Sequence, residues 1–371
     1  MKILFTCLSK SWGGMEMLTL TQIQQLLNRQ LQVELLCIPD SRIHIEAKEK
    51  GLKVHTLKSL GYFDPPGISF LISFLKENNI EIIHSHASKD LWTVVPALKL
   101  SRNQIPLILT KHVGSYVIKK DFMHRWIYKR VSFALAISEM IQKNLIETTP
   151  LSNEKILLIH NGVDINKFNP ENAERNKTRY EFSFNKDDIV IGMMGRFSPG
   201  KGHEEFLKAA KTLNKKNSNL KFLIVGEASF GEEFYEKEIK VLSEKLELKN
   251  VIFAGFRSDS VNVLSAMDIF IFPSHAESFG LALAEAMAME LPSVSSNSNG
   301  ILDITVDEQT GFLFENKNPE SLAEKTVELI TSDKLRKKIG KDARKRIIEY
   351  FNIEDQTKKL IEIYSSLIPT N

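Results

Sequence analysis

The strongest constraint on the fold is an alternation, repeated in two series, of short apolar runs with longer amphipathic stretches. The runs are rich in β-branched and aliphatic residues, and the stretches between them have the length and patterning of helices. Strands and helices that alternate in this way form a parallel sheet with right-handed crossovers. The predicted strands of the first series are 2–8, 33–38, 54–57, 80–84, 107–110, 133–137 and 156–159, and those of the second series are 189–193, 222–225, 251–253, 269–272, 293–295 and 312–314.

A polar segment over 162–187 separates the two series and is predicted to be a linker, because it contains turn-forming pairs and a mixed run of charges. With 371 residues, the chain is also longer than one hydrophobic core usually supports. We therefore predict an α/β protein of two Rossmann-like domains, 1–165 and 166–351, which face a central cleft. Open α/β sheets bind ligands at the carboxyl ends of their strands, so site residues are expected there. Three further helices are predicted at 319–330, 333–350 and 353–367.

Composition argues against several classes of protein. The chain is 43% hydrophobic and 26% charged, and it has no apolar run near the roughly 18 residues that a membrane-spanning helix needs. Residues 3–8 are predicted to be a buried strand rather than a signal peptide, since one Lys precedes them and no small-residue cleavage site follows. Cys7 and Cys37 lie in strand patterns rather than in a disulfide framework. We therefore expect a cytoplasmic protein.

The clearest site motif follows the predicted strand 269–272. Glu277 lies in the loop that leaves this strand, and Glu285 lies about one turn inside the helix that follows. The amino terminus of such a helix offers free backbone N–H groups and a partial positive charge, which suit a phosphate. A carboxylate beside a bound diphosphate accepts two hydrogen bonds and suits the vicinal hydroxyls of a ribose or a sugar. The alternative is that both are ordinary acids near a helix start, where they favour the helix dipole.

A second motif, the loop 195–202, has nearly the residue spacing of a phosphate-binding P-loop. Its Gly, four residues, Gly and Lys are followed by Gly202, where a Ser or Thr hydroxyl would hold magnesium. The two cations of the loop, Arg196 and Lys201, can neutralise a diphosphate leaving group without a metal ion. The chain also lacks the Asp-x-Asp pair that commonly clamps a divalent cation. We therefore expect no metal and no cofactor, and the alternative for this loop is a helix-entry turn with surface charges.

In the first half of the chain, a glycine pair and three histidines stand at predicted strand ends. Gly13 and Gly14 allow the backbone to approach a ligand closely, although a tight turn without a ligand would also use them. His84 and His86 end one strand, and His112 follows another. The three could form a metal site with an open position. The preferred interpretation is that His112 hydrogen-bonds to a sugar or to a developing charge.

Residues 119–130 interleave apolar and basic side chains. A basic amphipathic helix of this kind can lie on an anionic membrane or meet an amphipathic acceptor, and core packing of its apolar side is the alternative. The first 168 residues contain 21 Lys or Arg and 14 Asp or Glu, which is a modest excess of positive charge. Nucleic acid is not expected as a partner, because the basic residues are few and no recognition motif is present.

Taken together, these segments resemble glycosyltransferase family 4, a group of retaining transferases with the GT-B fold that use nucleotide-sugar donors. Each motif alone is weak, whereas the order and spacing of the set are specific and extend over nearly the whole chain. The motifs are Gly13-Gly14 with Glu16, Ile83-His84-Ser85-His86, Thr110-Lys111-His112, Ser138-Glu139, Asn161-Gly162-Val163-Asp164, Gly195-Arg196, Lys201-Gly202-His203-Glu204, Gly255-Phe256, Glu277 with Glu285, and Thr310-Gly311-Phe312-Leu313.

The resemblance implies roles for the residues that match the family motifs. It implies that Arg196 and Lys201 grip the donor diphosphate and that Glu285 binds the ribose. Glu277 would contact a hydroxyl of the donor sugar and His112 would lie beside the reaction centre, so these two are the predicted catalytic residues. The other predicted site residues are Gly13, Gly14, Gly255, Phe256, Arg257, Phe279 and Gly280 for the donor, and His84 and His86 for the acceptor.

The resemblance also implies that residues 352–371 return to the first domain and that the anomeric configuration is retained without a metal ion. The leaving phosphate would then assist the acceptor hydroxyl on the same face of the sugar. The chain departs from the family pattern at Glu290, where a Gly is common, and over 299–303, which alters the loop expected to bind the donor phosphate and sugar.

The predicted function is transfer of a hexosyl group from a UDP- or GDP-sugar to an acceptor hydroxyl, on a cell-envelope glycan or a lipid-linked acceptor. The enzyme would work in the cytoplasm or at the inner face of the cell membrane, which residues 119–130 could contact. Two alternatives are a nucleotide-sugar epimerase on the same scaffold and a nonenzymatic protein that binds sugar nucleotides. A nucleotide-hydrolysing P-loop enzyme is disfavoured by Gly202.

Overall fold

The structure is a computed structural model that describes residues 1–215, 219–229 and 231–368. The chain folds into two compact units. Unit 1 consists of Met1–Asn161 and the chain from Glu354 onward, and unit 2 consists of Gly162–Ile353. Each unit contains one parallel sheet with flanking helices.

Unit 1 is built on a sheet of seven parallel strands in its described residues. The strands are β1 (Lys2–Cys7), β2 (Gln32–Cys37), β3 (Val54–Thr56), β4 (Ile82–Ser85), β5 (Leu107–Lys111), β6 (Phe133–Ala136) and β7 (Ile156–Leu158). The helices are α1 (Gly14–Leu27), α2 (Arg42–Glu49), α3 (Pro65–Glu77), α4 (Leu91–Leu100), α5 (Phe122–Tyr128) and α6 (Glu139–Thr148). The strand order β3-β2-β1-β4-β5-β6-β7 reverses between β1 and β4, which is the switch point of this sheet.

Both faces of the first sheet are covered. Ile3 and Phe5 of β1 lie in one apolar cluster, whereas Leu4 between them lies in another. Successive side chains of a strand point to opposite faces, so a strand that is buried on both sides is apolar at every position. This is why the strands of this chain appear in the sequence as continuous apolar runs.

Unit 2 is built on a second parallel sheet, which has six strands in the described part of the unit. The strands are β8 (Ile189–Met194), β9 (Leu220–Val225), β10 (Val251–Phe253), β11 (Ile269–Phe272), β12 (Ser293–Ser296) and β13 (Phe312–Phe314). The helices are α7 (Arg175–Glu181), α8 (His203–Asn214), α9 (Glu233–Lys245), α10 (Ser260–Ser265), α11 (Leu281–Ala288), α12 (Ile301–Ile304), α13 (Pro319–Thr331) and α14 (Asp333–Tyr350). The strand order β10-β9-β8-β11-β12-β13 reverses between β8 and β11.

The last helix, α15 (Ile353–Leu367), packs on the sheet of unit 1. Leu360 and Tyr364 are buried in the same apolar cluster as Phe5. The hydroxyl of Tyr364 also lies 2.6 Å from Nδ1 of His84 in β4. The predicted return of the C-terminal helix to the first domain is confirmed.

Within the described residues, all thirteen predicted strands are present, with ends that lie within two residues of the predicted ones. The segment 162–187 differs from the predicted linker because it contains α7. Arg175 and Arg179 of this helix both bond to the carboxylate of Asp268, with N–O distances of 2.6 and 3.1 Å. These bonds attach the segment to unit 2. They could not be predicted from the sequence, in which the segment is only a mixed run of charges.

Candidate active site

The loops that follow β8 and β11 lie side by side at the carboxyl end of the second sheet. The two strands are neighbours at the point where the strand order reverses, which is where open α/β sheets bind ligands. The backbone N–H of His275 in the β11 loop donates to the carbonyl of Gly200 in the β8 loop at 2.8 Å. The structure therefore brings together the two motifs, 195–202 and 273–280, that the sequence marks as the clearest site candidates.

Gly202 explains why the β8 loop departs from a P-loop. It forms the N-cap of α8 with a φ of 81°, a backbone conformation that residues with side chains rarely adopt. A Cβ atom at this position would lie 2.1 Å from the carbonyl oxygen of Pro273. Backbone packing between the two loops thus excludes Ser or Thr at position 202.

Lys201 and Glu277 form an ion pair across the two loops, with Nζ of the lysine 2.6 Å from Oε2 of the glutamate. The side chains are 28% and 20% exposed, so the pair lies near the surface of the unit. The hydroxyl of Ser274 donates to the same carboxylate oxygen at 3.4 Å. Ion pairs that solvent reaches are weak, and an incoming anion can therefore compete for the ammonium group.

Arg196 contacts the loop that follows β9. Its Nη1 donates to the hydroxyl of Ser229 at 3.3 Å, and its Nε lies 3.6 Å from Oε2 of Glu232. Ser198 donates to the other carboxylate oxygen of Glu232 at 2.5 Å. The sequence does not predict Glu232 as a partner of Arg196, because an acid in a neighbouring βα loop belongs to no motif. The side chain of Arg196 is 41% exposed and remains accessible to a ligand.

Glu285 lies one turn inside α11 with its side chain partly exposed. The surrounding protein removes water from the carboxyl group and so raises its pKa from 4.5 to about 7, although Lys167 acts in the opposite direction. A carboxyl group with a pKa near neutrality can accept hydrogen bonds from hydroxyls or donate one. Perturbed groups of this kind are enriched at functional sites.

Phe279 and Gly280 shape the start of α11. Phe279 is buried, with its ring centroid 5.7 Å from that of Phe351. Gly280 forms the N-cap with a φ of 105° and gives no side-chain cap to the helix. The first N–H groups of α11 are consequently left for another acceptor, as the predicted phosphate site requires.

The loop after β12 holds the Glu277 loop in place. The hydroxyl of Ser296 donates to the carbonyl of Ser274, and the N–H of Gly300 donates to the carbonyl of Glu277 at 3.0 Å. A Cβ atom at Gly300 would lie 2.3 Å from the carbonyl oxygen of Ser278. The unusual sequence 299–303 therefore positions the backbone of a predicted catalytic residue.

Gly255, Phe256 and Arg257 follow β10 at the same end of the sheet. The carbonyl of Gly255 accepts from the N–H of Gly226 at 2.9 Å, which ties the β9 and β10 loops together. Phe256 is 47% exposed and offers a ring face on which a base can stack. Arg257 bonds to the carboxylates of Asp259 and Glu181, and both raise its pKa.

In unit 1, His84 is buried and both of its ring nitrogens are occupied. Nδ1 lies 2.6 Å from the hydroxyl of Tyr364, and Nε2 lies 2.7 Å from the hydroxyl of Thr110. Burial lowers the pKa of His84 from 6.5 to about 3, so the ring is neutral near pH 7. This geometry favours a role in packing α15 over the predicted contact with an acceptor.

His86 and His112 stack on each other with ring centroids 5.3 Å apart, and Nδ1 of His86 lies 3.1 Å from Nε2 of His112. Burial lowers the pKa of both imidazoles, that of His112 to about 3. Nε2 of His86 is buried and has no hydrogen-bond partner within the described part of the chain. Across the described residues, no group of three or more His, Cys, Asp or Glu is arranged to hold a metal ion. This geometry does not support the three-histidine metal alternative.

Gly13 and Gly14 lie where β1 leads into α1. A Cβ atom at Gly14 would meet nothing within 4 Å, and one at Gly13 would lie 3.8 Å from Oε2 of Glu16. The surrounding protein thus leaves open space beside this backbone, which a close approach by a ligand would need.

Residues 119–130 form a shorter helix than the sequence predicts. Helix α5 begins only at Phe122, because Asp121 caps it by accepting from the N–H of Met123 at 3.0 Å. Ile127 is buried, whereas Phe122 and Met123 are 81% and 58% exposed. Of the helices in the described residues, none is long and apolar enough to span a membrane.

Two family models match the chain, and together they account for most of it. The model described as Glycosyltransferase Family 4 matches residues 12–167. The model described as Glycosyl transferases group 1 matches residues 174–346. The division between the two matches falls in the segment between β7 and α7.

Individual proteins show the same likeness. A capsular polysaccharide biosynthesis glycosyltransferase, CapM, of Staphylococcus aureus is 30% identical over 238 residues, which are 63% of this chain and 61% of that protein. The UDP-Gal:alpha-D-GlcNAc-diphosphoundecaprenol alpha-1,3-galactosyltransferase of Escherichia coli is 26% identical over 371 residues, with 96% of this chain and 94% of that protein covered. The crystal structure of Anabaena Alr3699/HepE in complex with UDP and glucose matches with a TM-score of 0.86 and 23% identity, over 99% of this chain and 100% of that chain.

Proposed function

The chain belongs to glycosyltransferase family 4 and has the GT-B fold, and we propose that it moves a hexosyl group from a UDP- or GDP-sugar to an acceptor hydroxyl. We further propose that the transfer retains the anomeric configuration and needs no metal ion. The observation that carries the proposal is a set of two cations and two carboxyl groups around the switch point of the second sheet. The set consists of Arg196, Lys201, Glu277 and Glu285.

We assign the donor diphosphate to Lys201 and Arg196. Both cations are partly exposed, and each is paired with one carboxylate. A bound diphosphate can displace that carboxylate. Charge-assisted hydrogen bonds to phosphate are short and strong, and they stabilise a leaving diphosphate as its negative charge develops. When the diphosphate pairs with the ammonium group of Lys201, the carboxylate of Glu277 becomes free to bind a hydroxyl of the donor sugar.

We assign the ribose to Glu285. Its carboxyl group lies on α11, beyond the uncapped N–H groups that favour phosphate at the start of this helix. Two carboxylate oxygens match the vicinal hydroxyls of a ribose. Ribose is common to every nucleotide sugar, so this contact would be independent of the donor sugar.

In the proposed reaction, the bond from the anomeric carbon to the donor phosphate breaks while a bond to the acceptor oxygen forms on the same face of the sugar. The acceptor hydroxyl transfers its proton to an oxygen of the leaving phosphate. Lys201 and Arg196 stabilise the charge on that phosphate. His112, which is neutral near pH 7, donates a hydrogen bond beside the reaction centre.

The similar proteins favour UDP as the nucleotide and an envelope glycan as the product. The Escherichia coli relative carries UDP-Gal and a diphosphoundecaprenol acceptor in its name, and the Staphylococcus aureus relative is named for capsular polysaccharide. The Anabaena structure holds UDP and glucose. We propose that this chain likewise uses a lipid-linked or glycan acceptor, in the cytoplasm at the inner face of the cell membrane.

The proposal is tested by a panel of UDP-, GDP- and ADP-sugars, read first as a shift in thermal midpoint and then as product. Binding to the folded state raises the midpoint, so one sugar nucleotide should stabilise the wild type and have a smaller effect on Glu285→Ala. Addition of an acceptor should then produce free nucleotide and glycosylated acceptor. Conversion of the sugar without an acceptor would instead indicate an epimerase, and binding without turnover would indicate a nonenzymatic protein.

A further inference from the structure

The segment between β5 and α5 carries an exposed apolar surface. Large exposed apolar side chains are normally scattered singly, and a contiguous group marks a site of interaction. Here Tyr116 is fully exposed, and Val117 and Ile118 are 64% and 67% exposed. Phe122, at the start of α5, is 81% exposed. We refer to Tyr116, Val117, Ile118 and Phe122 as the apolar band.

A pair of amino groups lies next to the apolar band. Lys111, the last residue of β5, is buried and donates from Nζ to the hydroxyl of Ser88 at 3.1 Å. The side chain of Lys119, which directly follows Ile118, lies within hydrogen-bonding reach of the Lys111 amine. Among the described residues, neither amine forms an ion pair with a carboxylate.

Two neighbouring amines without an adjacent acid are an unusual arrangement. Buried cations are nearly always paired with an acid. Burial and the neighbouring amine lower the pKa of Lys111 to about 7. The backbone N–H of Lys119 donates to the carbonyl of Thr148 at 2.6 Å, so the backbone from which the second amine extends is anchored. Such a pair is complementary to an anion with two negative charges.

We propose that Lys111, Lys119 and Ser88 bind the diphosphate of a lipid-linked acceptor, and that the hydrocarbon chain of this lipid lies along the apolar band. The inference rests on the proposed transferase function and names the acceptor class and the group that is recognised. Three residues of the apolar band directly precede Lys119 in the sequence and Phe122 follows it by three positions, so a diphosphate on the amines places the adjoining lipid chain beside exposed apolar side chains. An acceptor without a diphosphate would leave the two amines uncompensated.

The probes are geranyl diphosphate, geraniol and inorganic pyrophosphate, titrated calorimetrically into the full-length protein. Wild type should bind geranyl diphosphate at least tenfold more tightly than either geraniol or pyrophosphate. Lys111→Met and Lys119→Gln should each weaken geranyl diphosphate binding by about tenfold or more, since a hydrogen bond to a charged group contributes about 1.5–3 kcal/mol. Lys120→Gln, a change of the exposed neighbouring lysine, is the matched control and should have less than a twofold effect. Lys119 is only partly buried, so Lys119→Gln decides the outcome if Lys111→Met fails to fold.

The apolar band is tested with Ile118→Ser and Tyr116→Ser. These changes should weaken geranyl diphosphate binding several-fold and leave pyrophosphate binding unchanged, because only the lipid contacts the band. Wild-type affinity for geranyl diphosphate in both lysine variants would overturn the inference. Equal affinity for pyrophosphate and geranyl diphosphate would also overturn it and would indicate a free-anion site. Binding of the wild type to anionic phospholipid vesicles without binding of geranyl diphosphate would overturn it in favour of bilayer headgroups.

UDP titration of the same proteins separates this inference from the proposed function. UDP should bind the wild type and both lysine variants with the same affinity. If the UDP-sugars and the GDP-sugars all fail to bind the wild type, the proposed function fails, whatever geranyl diphosphate does. If UDP binds and geranyl diphosphate does not, only the acceptor inference fails.

Discussion

The ammonium group of Lys201 and the carboxylate of Glu277, which come from two different βα loops, lie 2.6 Å apart at the carboxyl ends of β8 and β11. Neither loop alone would define a ligand site. Their contact joins a cation suited to a diphosphate with a carboxylate suited to a sugar hydroxyl. In the proposed function, this pair exchanges partners when the donor binds.

Replacement of the Lys201 ammonium should weaken nucleotide binding. Lys201→Ala removes a charge-assisted hydrogen bond to the diphosphate, so UDP affinity measured by calorimetry should fall by about 10- to 100-fold. Lys208→Ala, which removes an exposed lysine from α8, is the matched control and should bind UDP like the wild type. Unchanged UDP affinity in Lys201→Ala would remove Lys201 from the donor site.

Because the loops that follow β8 and β11 are closely packed, a side chain added between them should destabilise the protein. Gly200 and Gly202 have similar φ angles of 84° and 81°, but only a Cβ at Gly202 would collide with backbone, at 2.1 Å from the carbonyl oxygen of Pro273. Gly200→Ala should lower the free energy of unfolding by about 1–2 kcal/mol through its backbone conformation alone. Gly202→Ala should lower it by roughly 2 kcal/mol more, because the loops must separate. The thermal midpoints of the two variants measure the difference, and equal midpoints would contradict the close packing.

The sequence predicts both sheets because strands covered on two faces are continuous apolar runs. It also predicts the site loops, since glycines, cations and acids recur at strand ends. It does not predict the partners of those residues. Glu232 approaches Arg196 from another loop, and α7 is attached to unit 2 through Asp268, which lies far along the chain. Such contacts depend on which loops are neighbours in the folded protein, so no local sequence pattern predicts them.

The role of His84 illustrates the same limit. A strand that ends in two histidines indicates a polar site, but only the fold shows that Tyr364 and Thr110 occupy both nitrogens of the first ring. The pair of amino groups of Lys111 and Lys119 cannot be predicted from the sequence either. Eight positions separate the two lysines, and only the path of the loop between them brings the amines together.

Acid should destabilise unit 1 through its buried histidines. Burial lowers the pKa of His84 and His112 from 6.5 to about 3 and that of His86 well below 6.5. Below pH 6.5 the unfolded chain therefore binds more protons than the folded one, so the stabilisation is fully present above that pH and is lost as pH falls toward 3. Each histidine should contribute about 1.4 kcal/mol per pH unit to this loss. Denaturant unfolding at pH 7.5 and pH 5 checks the slope, and a slope that His86→Gln leaves unaltered would contradict the assignment.

Transfer should proceed without divalent ions. The proposed mechanism stabilises the leaving diphosphate with Arg196 and Lys201, so turnover in EDTA should equal turnover in magnesium. The product formed in EDTA should keep the anomeric configuration of the donor, as read by NMR coupling constants. Activity that EDTA abolishes and a divalent ion restores would reject this mechanism, and an inverted product would reject the same-face route.

In the proposed function, one donor molecule joins the cations and the acids at the switch point of the second sheet. A crystal structure of the protein with UDP tests this most directly. We expect diphosphate oxygens within hydrogen-bonding distance of Arg196 and Lys201, and ribose hydroxyls on the carboxyl group of Glu285. UDP bound elsewhere, or bound here with its ribose away from Glu285, would contradict it.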